Sequence, residues 1–243
     1  MADERQRAIT FTDVYYDVLH KTILHRITGT FAQHNITALV GPSGSGKTTL
    51  LKMINGLLSP TSGRVFLFGT DIATFEPTVL RRKVGIALQD APMIRGTVYD
   101  NLALPRTLQQ KSLSELEAKQ FLERVDLGAR FLRTDVTDLS GGERQKVSIA
   151  RTLINGANVL LLDEITSALD RHSVEEIERL ITTLQKEAKM TVVWITHDLE
   201  QAKRVAHDVW VLVDGRLVER GSIEVLTEPE SEAARQFLLG GEK

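Results

Sequence analysis

Gly41-Pro42-Ser43-Gly44-Ser45-Gly46-Lys47-Thr48 follows directly on the apolar run Ile36–Val40 and precedes leucines at helical spacing. The stretch matches G-x-x-x-x-G-K-[ST], in which glycines let the backbone fold around phosphates with its amide N–H groups pointing inward. A helix starting near Lys47 adds the positive end of its dipole. Strand, glycine-rich loop and helix in this order predict a nucleotide phosphate site rather than a flexible glycine loop.

The residues of this loop carry different parts of the expected chemistry. Lys47 would bring a positive charge to the β- and γ-phosphates during catalysis, and the hydroxyl of Thr48 can ligate Mg²⁺. Backbone N–H groups of the loop and of the helix start would bind the remaining phosphate oxygens. The predicted nucleotide-binding residues are Gly41, Pro42, Ser43, Gly44, Ser45, Gly46, Lys47, Thr48 and Thr49.

A second apolar run, Val159–Asp163, ends in two adjacent carboxylates, Asp163 and Glu164. Buried parallel strands have this continuous apolar character, and active residues of open α/β sheets gather at strand C-termini. We expect Asp163 to hold Mg²⁺ through water and Glu164 to polarise a water for in-line attack on the γ-phosphate. Without the phosphate loop, the same pair would indicate a loop start or a helix cap.

Strand and helix patterns alternate along most of the chain. The strand patterns are Ile9–Val14, Ile23–Phe31, Ile36–Val40, Arg64–Phe68, Val84–Leu88, Val159–Asp163 and Thr191–Ile195. The helical patterns run from Lys47 to about Leu57 and over Ser114–Val125, Val174–Glu187, Leu199–Ala206 and Glu230–Lys243. Asp214-Gly215 between Val209–Val213 and Leu217–Arg220 predicts a hairpin. Strands alternating with helices predict an α/β core with a largely parallel sheet.

Composition narrows the class of protein. The chain has 243 residues, 42% of them hydrophobic, and a formal net charge of -2, so it has no basic field to attract nucleic acid. Zero cysteines exclude disulfides and thiolate metal sites. No apolar run approaches the roughly 20 residues of a membrane-spanning helix, and residues 1–5 lack the apolar segment of a signal peptide. We expect a cytosolic protein whose contact with a membrane depends on a partner.

One further stretch distinguishes between the classes of protein that have a phosphate loop. It is Leu139-Ser140-Gly141-Gly142-Glu143-Arg144-Gln145. By local chemistry alone, Ser140 could be a helix N-cap followed by an acidic first turn. The stretch lies between the two motifs above, where ABC ATPases have their LSGGQ-like signature, here with Glu143 in the last position. The chain resembles this family over nearly its whole length.

The resemblance implies the P-loop NTPase fold of ABC ATPases. This fold is α/β, with a mostly parallel core sheet, an N-terminal antiparallel β subdomain and an inserted helical subdomain. We expect a single domain over residues 1–243. Residues 1–90 and 139–243 would form the RecA-like core with the β subdomain. The helical subdomain would span about residues 91–138, where strand signals are few.

The resemblance also assigns further site residues. Gln89, after the strand pattern Val84–Leu88, matches the Q-loop and would act in catalysis and in holding Mg²⁺. Asp170, at the end of Ser167–Asp170, matches the D-loop beside the nucleotide. His197 matches the switch histidine and would act in catalysis.

One phosphate loop and one signature per chain imply sites shared between two copies. Ser140, Gly141 and Gly142 of one copy would cap the γ-phosphate held by the loop of the other. The implied cofactors are ATP and Mg²⁺. The implied partners are a second copy, joined head to tail by ATP, and an integral membrane permease. The chain would therefore act at the cytoplasmic face of the cell membrane.

One position departs from the family pattern. ABC ATPases usually stack adenine on an aromatic side chain near the end of the first strand. Counted back from the phosphate loop, this position is Val18. Tyr16 lies nearby and, by strand alternation, on the same face. Tyr16 either replaces the missing aromatic or belongs to the core.

Ile165 follows Glu164 where most members of the family have proline. Together with Thr97–Leu102 after the Q-loop, it looks like the ATPase subunit of the bacterial Fet-type iron exporter and its plant relatives. That resemblance implies export of a metal ion through a permease of the same small family, whereas a neutral replacement of proline would imply no cargo.

Two other functions remain as alternatives. The first is an ABC ATPase without a transport role, such as the ATPase of iron–sulfur cluster assembly, whose partners would be soluble. The second is a P-loop nucleotide kinase, which would need an acceptor site and a lid but not the signature motif.

Overall fold

The computed structural model describes residues 7–240 and contains two β-sheets. The strands are β1 Arg7–Val18, β2 Lys21–Ala32, β3 Ile36–Val40, β4 Ser62–Leu67, β5 Thr70–Asp71, β6 Val84–Leu88, β7 Val159–Asp163, β8 Thr191–Ile195, β9 Asp208–Val213 and β10 Arg216–Ser222. The helices are α1 Lys47–Ile54, α2 Pro77–Lys83, α3 Val98–Thr107, α4 Glu115–Glu123, α5 Gly141–Ile154, α6 Arg171–Ala188, α7 Leu199–Val205 and α8 Glu232–Leu239.

The larger sheet has six strands in the order β10-β9-β3-β8-β7-β6. All neighbouring pairs are parallel except β9 and β10, which form the antiparallel hairpin predicted from Asp214-Gly215. The smaller sheet is antiparallel, in the order β2-β1-β4-β5. The structure therefore confirms the predicted α/β core with a mostly parallel sheet and an N-terminal antiparallel sheet.

Strand β7 shows why the central strands are mostly apolar on both faces. Successive side chains point to opposite faces of a sheet. Leu160 and Leu162 are buried in a core cluster that contains residues of α5 and α6. Val159 and Leu161 are buried on the other face, in a cluster with residues of α1 and of the antiparallel sheet. Burial of each leucine side chain contributes about 1.5–3 kcal/mol to the free energy of folding. A polar residue on either face would therefore weaken the packing of the sheet against the neighbouring helices or sheet.

Four strand predictions, for β3, β6, β7 and β8, agree with the structure to the residue. The prediction for the first helix was too long, because α1 ends at Ile54 rather than near Leu57. Gly56 has a φ of 68°, which turns the chain out of the helix. The N–H groups of Leu57 and Leu58 then both bond to the carbonyl of Lys52, and Leu57 is exposed.

Residues 91–138 contain α3, α4 and two short 3₁₀ segments, Ala129–Arg133 and Val136–Asp138. Buried side chains of this region, among them Leu102 and Leu122, pack in the same cluster as Val147 of α5. The region is helical as predicted, and its bounds as a subdomain stay a prediction. The predicted C-terminal helix over Glu230–Lys243 is shorter, since α8 spans Glu232–Leu239. Residues 1–6 and 241–243 lie outside the described residues. The prediction about a signal peptide at residues 1–5, the two ends of the predicted domain over residues 1–243 and the end of the predicted helix Glu230–Lys243 fall on them.

Between residues 7 and 240, the structure contains no helix with the length and hydropathy needed to cross a bilayer.

Candidate active site

The phosphate loop joins the end of β3 to the start of α1, and its shape depends on the strand beside it. Gly41 has a φ of 150°, and a Cβ there would lie 1.9 Å from the carbonyl oxygen of Leu212. Only glycine fits at this approach. The β9–β10 turn also contacts the loop, because Gly215 N–H donates to Ser45 O at 3.2 Å. The loop is therefore held by the parallel sheet and by the hairpin together.

Lys47 lies inside the loop rather than in solvent. Its Nζ donates to the carbonyl oxygens of Gly41 at 2.9 Å and Pro42 at 2.8 Å, and the residue is 5% exposed. Burial lowers the pKa of the Lys47 ammonium, while the nearby carboxylates Glu164 and Asp163 raise it. A buried cation held only by carbonyl oxygens is suited to receive an anionic ligand.

Asp163 ends β7 beside the start of α1. The hydroxyl of Thr48 donates to Asp163 Oδ1 at 3.1 Å. Burial raises the pKa of the Asp163 carboxyl, and the hydrogen bond from Thr48 opposes this rise. Hydroxyl and carboxylate oxygens are the ligands that Mg²⁺ prefers. Within residues 7–240, the Ser45 hydroxyl of the same loop is buried without a hydrogen-bond partner. These groups fit a site for Mg²⁺ and phosphate.

Glu164 has a φ of 52°, in the left-handed region that non-glycine residues rarely adopt. Its N–H donates to the carbonyl of Ile195 at 3.1 Å. Its Oε1 lies 2.6 Å from Nε2 of His197, and Nε2 is the donor because an ionised carboxylate only accepts. Such a backbone costs on the order of 1–3 kcal/mol and persists only where the surrounding structure holds it.

Several of these groups line one cavity of about 210 Å³, whereas Gly41, Pro42, Ser45 and Asp163 do not line it. Its walls contain residues of the loop together with Glu164 and His197, which the sequence places far apart. The lining residues are Ile23, Ser43, Gly44, Gly46, Lys47, Thr48, Thr49, Glu164 and His197. Ile23 was missed by sequence reasoning, because it belongs to the antiparallel sheet and only tertiary packing brings β2 beside the loop.

Gln89 follows β6 at the same edge of the sheet as Asp163. Leu88 pairs with Asp163 in the parallel ladder, so the next residue lies beyond the strand end. The Gln89 side chain is exposed and does not line the cavity. Its carbonyl oxygen accepts from Gln145 Nε2 at 2.6 Å, and Gln145 also donates to Leu88 O at 3.1 Å. Gln145, a residue of the signature stretch, was not predicted to have this role.

Tyr16 and Val18 differ in their surroundings. A register irregularity between Tyr16 and Asp17 interrupts the strand alternation that placed them on one face. Tyr16 pairs with the buried Leu24 and packs half-buried against the core of the antiparallel sheet. Val18 is exposed. This packing favours the core alternative for Tyr16, and its contact with a base stays a prediction.

The signature residues lie at the start of α5 and do not line the cavity. Ser140 is the N-cap: its hydroxyl accepts from Glu143 N–H at 3.2 Å, and its own N–H donates to Glu143 Oε2 at 2.8 Å. This capping box explains the glutamate at the end of the motif. The structure does not bring Ser140, Gly141 or Gly142 to the phosphate loop of the same chain.

Asp170 likewise lies outside the cavity, as the N-cap of α6. Its carboxylate accepts from the N–H of Ser173 at 3.0 Å and from the Ser173 hydroxyl at 2.6 Å. A Cβ at Gly142 would lie 2.8 Å from the same hydroxyl. The starts of α5 and α6 are therefore packed closely, and the predicted contact of Asp170 with nucleotide stays a prediction.

The family model described as ABC transporter matches residues 24–167, more than half of the chain. The ABC transporter ATP-binding protein YjkB of Bacillus subtilis (strain 168) is 46% identical over 220 residues, covering 90% of this chain and 87% of YjkB. The chain belongs to the ABC transporter family. It is an ATP-binding, ATP-hydrolysing subunit of that family, and the predicted fold is confirmed.

Two other similarities bear on partners and cargo. A dimeric structure of the ATP-binding cassette MJ0796, in a post-hydrolysis state with ADP and Pi, has a TM-score of 0.78 at 30% identity, covering 88% of this chain and 98% of that one. The methionine import ATP-binding protein MetN of Caulobacter vibrioides is 41% identical over 214 residues, covering 85% of this chain and 64% of MetN. The chain thus spans about two thirds of MetN's length.

Proposed function

We propose that two copies of this ABC subunit bind ATP and Mg²⁺ between them and hydrolyse ATP to drive a separate membrane permease. One observation carries the proposal. The cavity joins the phosphate loop to Glu164 and His197 but leaves out the signature residues of the same chain. One chain therefore contributes the phosphate loop, Glu164 and His197 to one site. Its signature residues are left to contribute to a second site.

Lys47 and the loop amides are suited to bind the β- and γ-phosphates. The Lys47 ammonium already lies in the loop, 2.9 Å from Gly41 O, so it needs little rearrangement to receive an anion. Thr48 and Asp163 would hold Mg²⁺, with Gln89 reaching it from the neighbouring strand end. The metal ion supplies positive charge that offsets the negative charge of the phosphates.

Glu164 would accept a proton from the attacking water. The water oxygen forms a bond to the γ-phosphorus, and the bond from that phosphorus to the bridging oxygen breaks to leave ADP and phosphate. His197 holds the carboxylate by its 2.6 Å hydrogen bond. Proximity and orientation matter here, because a displacement of about 1 Å can cost about 100-fold in rate.

A second copy would complete the site. The start of α5 presents Ser140 and the amides of Gly141 and Gly142, and the helix dipole favours negative charge there. Ser140 is exposed and thus accessible to the γ-phosphate bound by another chain. The dimeric structure of MJ0796 supports such a pairing.

A groove of about 440 Å³ is our proposed docking site for the permease. It lies where α2, β6, α3 and α5 meet the turn that follows α1, and it presents apolar side chains beside arginines. Leu57, Leu104, Pro105 and Leu108 form apolar parts of its lining, and Leu108 is 76% exposed. Arg81, Arg82 and Arg151 also line it. A short amphipathic helix with acidic ends would fit this chemistry.

The relatives do not support the predicted export of metal ions. MetN is named as a methionine import protein and YjkB's name states no cargo. Ile165, which motivated the prediction, is 1% exposed in the core cluster that contains residues of α5 and α6. Packing explains an apolar residue there. We therefore propose ATP-driven transport with the cargo defined by the permease.

The deciding experiment is co-purification of the tagged chain from membranes. We expect an integral membrane protein to co-purify with the wild-type chain and to be lost with Leu108→Asp. Leu19→Asp is the matched control, because Leu19 is a 92% exposed leucine in the β1–β2 turn, outside the groove lining. Recovery of soluble scaffold proteins instead would favour iron–sulfur assembly. Transfer of phosphate to a nucleotide rather than to water would favour a kinase.

A further inference from the structure

Gln201 lies in the first turn of α7, directly after the segment that carries His197, and it is 1% exposed. Its Oε1 accepts from the Thr166 hydroxyl at 3.2 Å. Its Nε2 donates to Glu178 Oε1 at 3.1 Å. A buried side-chain amide with partners at both ends is held in one orientation.

Glu178 of α6 is a buried carboxylate, 7% exposed. Arg204 of α7 binds both of its oxygens, with Nε 3.0 Å from Oε2 and one terminal nitrogen 2.7 Å from Oε1. Such a bidentate pair has a fixed geometry. Hydrogen bonds therefore connect Thr166, Gln201, Glu178 and Arg204 in a chain, which we call the Gln201 network.

This network connects the segments that carry the two hydrolytic groups. Thr166 belongs to the turn that starts at Glu164, where Ser167 N–H and its hydroxyl donate to Glu164 O at 3.1 and 2.9 Å. Gln201 belongs to the helix that starts directly after His197. None of the four network residues lines the cavity that contains the phosphate loop, Glu164 and His197.

We propose that Thr166, Gln201 and Glu178 are positioning residues for ATP hydrolysis. Their hydrogen bonds connect Thr166 to α7 and so fix the position of the turn that contains Glu164 relative to the segment that contains His197. The left-handed backbone of Glu164 needs such support, because surrounding contacts must maintain it. The inference rests on the hydrolytic roles proposed for Glu164 and His197.

A purely structural role would have a different signature. The Glu178–Arg204 pair also joins α6 to α7, so its loss could loosen the packing of the two helices. Loosened packing would lower stability and nucleotide binding together. Displacement of Glu164 would lower kcat alone, because none of the network residues lines the cavity with the phosphate loop.

Thr166→Val tests the proposal, because it keeps the shape of the side chain and removes one donor. We expect kcat to fall about tenfold, with the Kd for ATP within about twofold of wild type and the Tm nearly unchanged. Thr166→Ser is the matched control, because it keeps the hydroxyl, and it should restore most of kcat. Unchanged kcat in Thr166→Val, or a parallel loss of kcat and ATP affinity, would overturn the proposal.

Gln201→Met is the second variant, of similar volume but without hydrogen bonds. Both substitutions remove the same link between Thr166 and α7. The kcat of the double variant Thr166→Val with Gln201→Met should therefore lie within about twofold of the kcat of Gln201→Met alone. Additive losses would contradict the network. Should Thr166→Val fail to fold, Gln201→Met by itself, which leaves the Glu178–Arg204 pair in place, must lower kcat with ATP affinity unchanged, or the proposal fails.

Glu164→Gln is assayed in parallel to distinguish the role of Glu164 from the role of the Gln201 network. Hydrolysis at the wild-type rate by Glu164→Gln would refute the proposed role of Glu164 itself. Inactive Glu164→Gln together with a normal Thr166→Val would overturn only the role of the Gln201 network.

Discussion

His197 Nε2 lies 2.6 Å from Glu164 Oε1, and the two residues come from the ends of adjacent parallel strands. The backbone repeats this connection, since Glu164 N–H donates to Ile195 O at 3.1 Å. Glu164 is thus held both through its backbone and through its side chain. It lies at the wall of the cavity that the phosphate loop also lines. Its position supports the role of general base.

Replacing Glu164 by glutamine should separate binding from hydrolysis. Glutamine keeps the shape and cannot take a proton, so we expect kcat to fall about 100-fold or more. ATP should then hold two copies together, as a dimer in gel filtration with ATP and Mg²⁺. Glu175→Gln, at an exposed glutamate of α6, is the control. A monomeric Glu164→Gln that hydrolyses ATP normally would refute the assignment.

His197→Ala should affect turnover more than binding. The histidine contacts Glu164 and makes no hydrogen bond to the phosphate loop, so we expect kcat to fall about 10- to 100-fold with ATP Kd within about twofold. Steady-state kinetics and equilibrium binding measure the two effects. His172→Ala is the control, because His172 is exposed and pairs with Glu176 outside the cavity. Equal losses of affinity and turnover would count against an orienting role.

Lys47→Ala should weaken nucleotide binding itself. The variant loses the buried cation that lies 2.8 Å from Pro42 O, and charge-assisted contacts of about 1.5–3 kcal/mol to phosphate would be lost with it. We expect the Kd for ATP to rise about 10- to 100-fold, measured by calorimetry. Lys83→Ala, an exposed lysine at the end of α2, should bind as wild type. An unchanged Kd in Lys47→Ala would show that Lys47 does not contact phosphate.

Ser140→Arg should abolish hydrolysis while ATP still binds, because Ser140 would act on nucleotide held by the other copy. Mixing Ser140→Arg with Lys47→Ala provides the sharper test. In the mixed dimer, one site has both an intact phosphate loop and an intact signature, so activity should partly return. Two inactive variants that stay inactive when mixed, despite forming mixed dimers, would exclude the shared site.

The ion pair of Lys146 and Glu176 predicts how stability depends on pH. Lys146 Nζ lies 3.0 Å from Glu176 Oε2. The hydrogen bond from Lys146 is the main cause that lowers the pKa of Glu176, burial opposes it, and the charges of Lys146, His172 and Arg179 add to the lowering. A lowered pKa in the folded state means that the pair stabilises the fold above the unfolded-state pKa of about 4.3.

This stabilisation is lost as the pH falls through the folded-state pKa of Glu176. Glu176→Gln should therefore lower the Tm near neutral pH, and the difference from wild type should shrink below about pH 4.3. Thermal unfolding between pH 7 and 3 measures it. Glu175→Gln, whose partner Arg171 is on the exposed face of α6, should show a small difference throughout. A difference that grows towards acid pH would contradict the sign.

Sequence reasoning was most accurate where local pattern and chemistry coincide. The runs of β3, β6, β7 and β8 are mostly apolar because most of their side chains are buried in the sheet, and their bounds were predicted to the residue. It failed at the end of α1, where Gly56 rather than the spacing of leucines terminates the helix. It also missed Ile23 and Gln145, because each acts through a contact with a distant segment of the chain.

The amino-acid sequence by itself determined the phosphate loop, the acidic strand end and the family, because glycine freedom, charge and apolar continuity are properties of neighbouring residues. Only the tertiary structure decided that His197 bonds to Glu164, that Tyr16 packs half-buried against the core of the antiparallel sheet, and that the signature lies apart from the cavity. The physical reason is that these relationships depend on strand order and register, which bring together residues far apart in the chain.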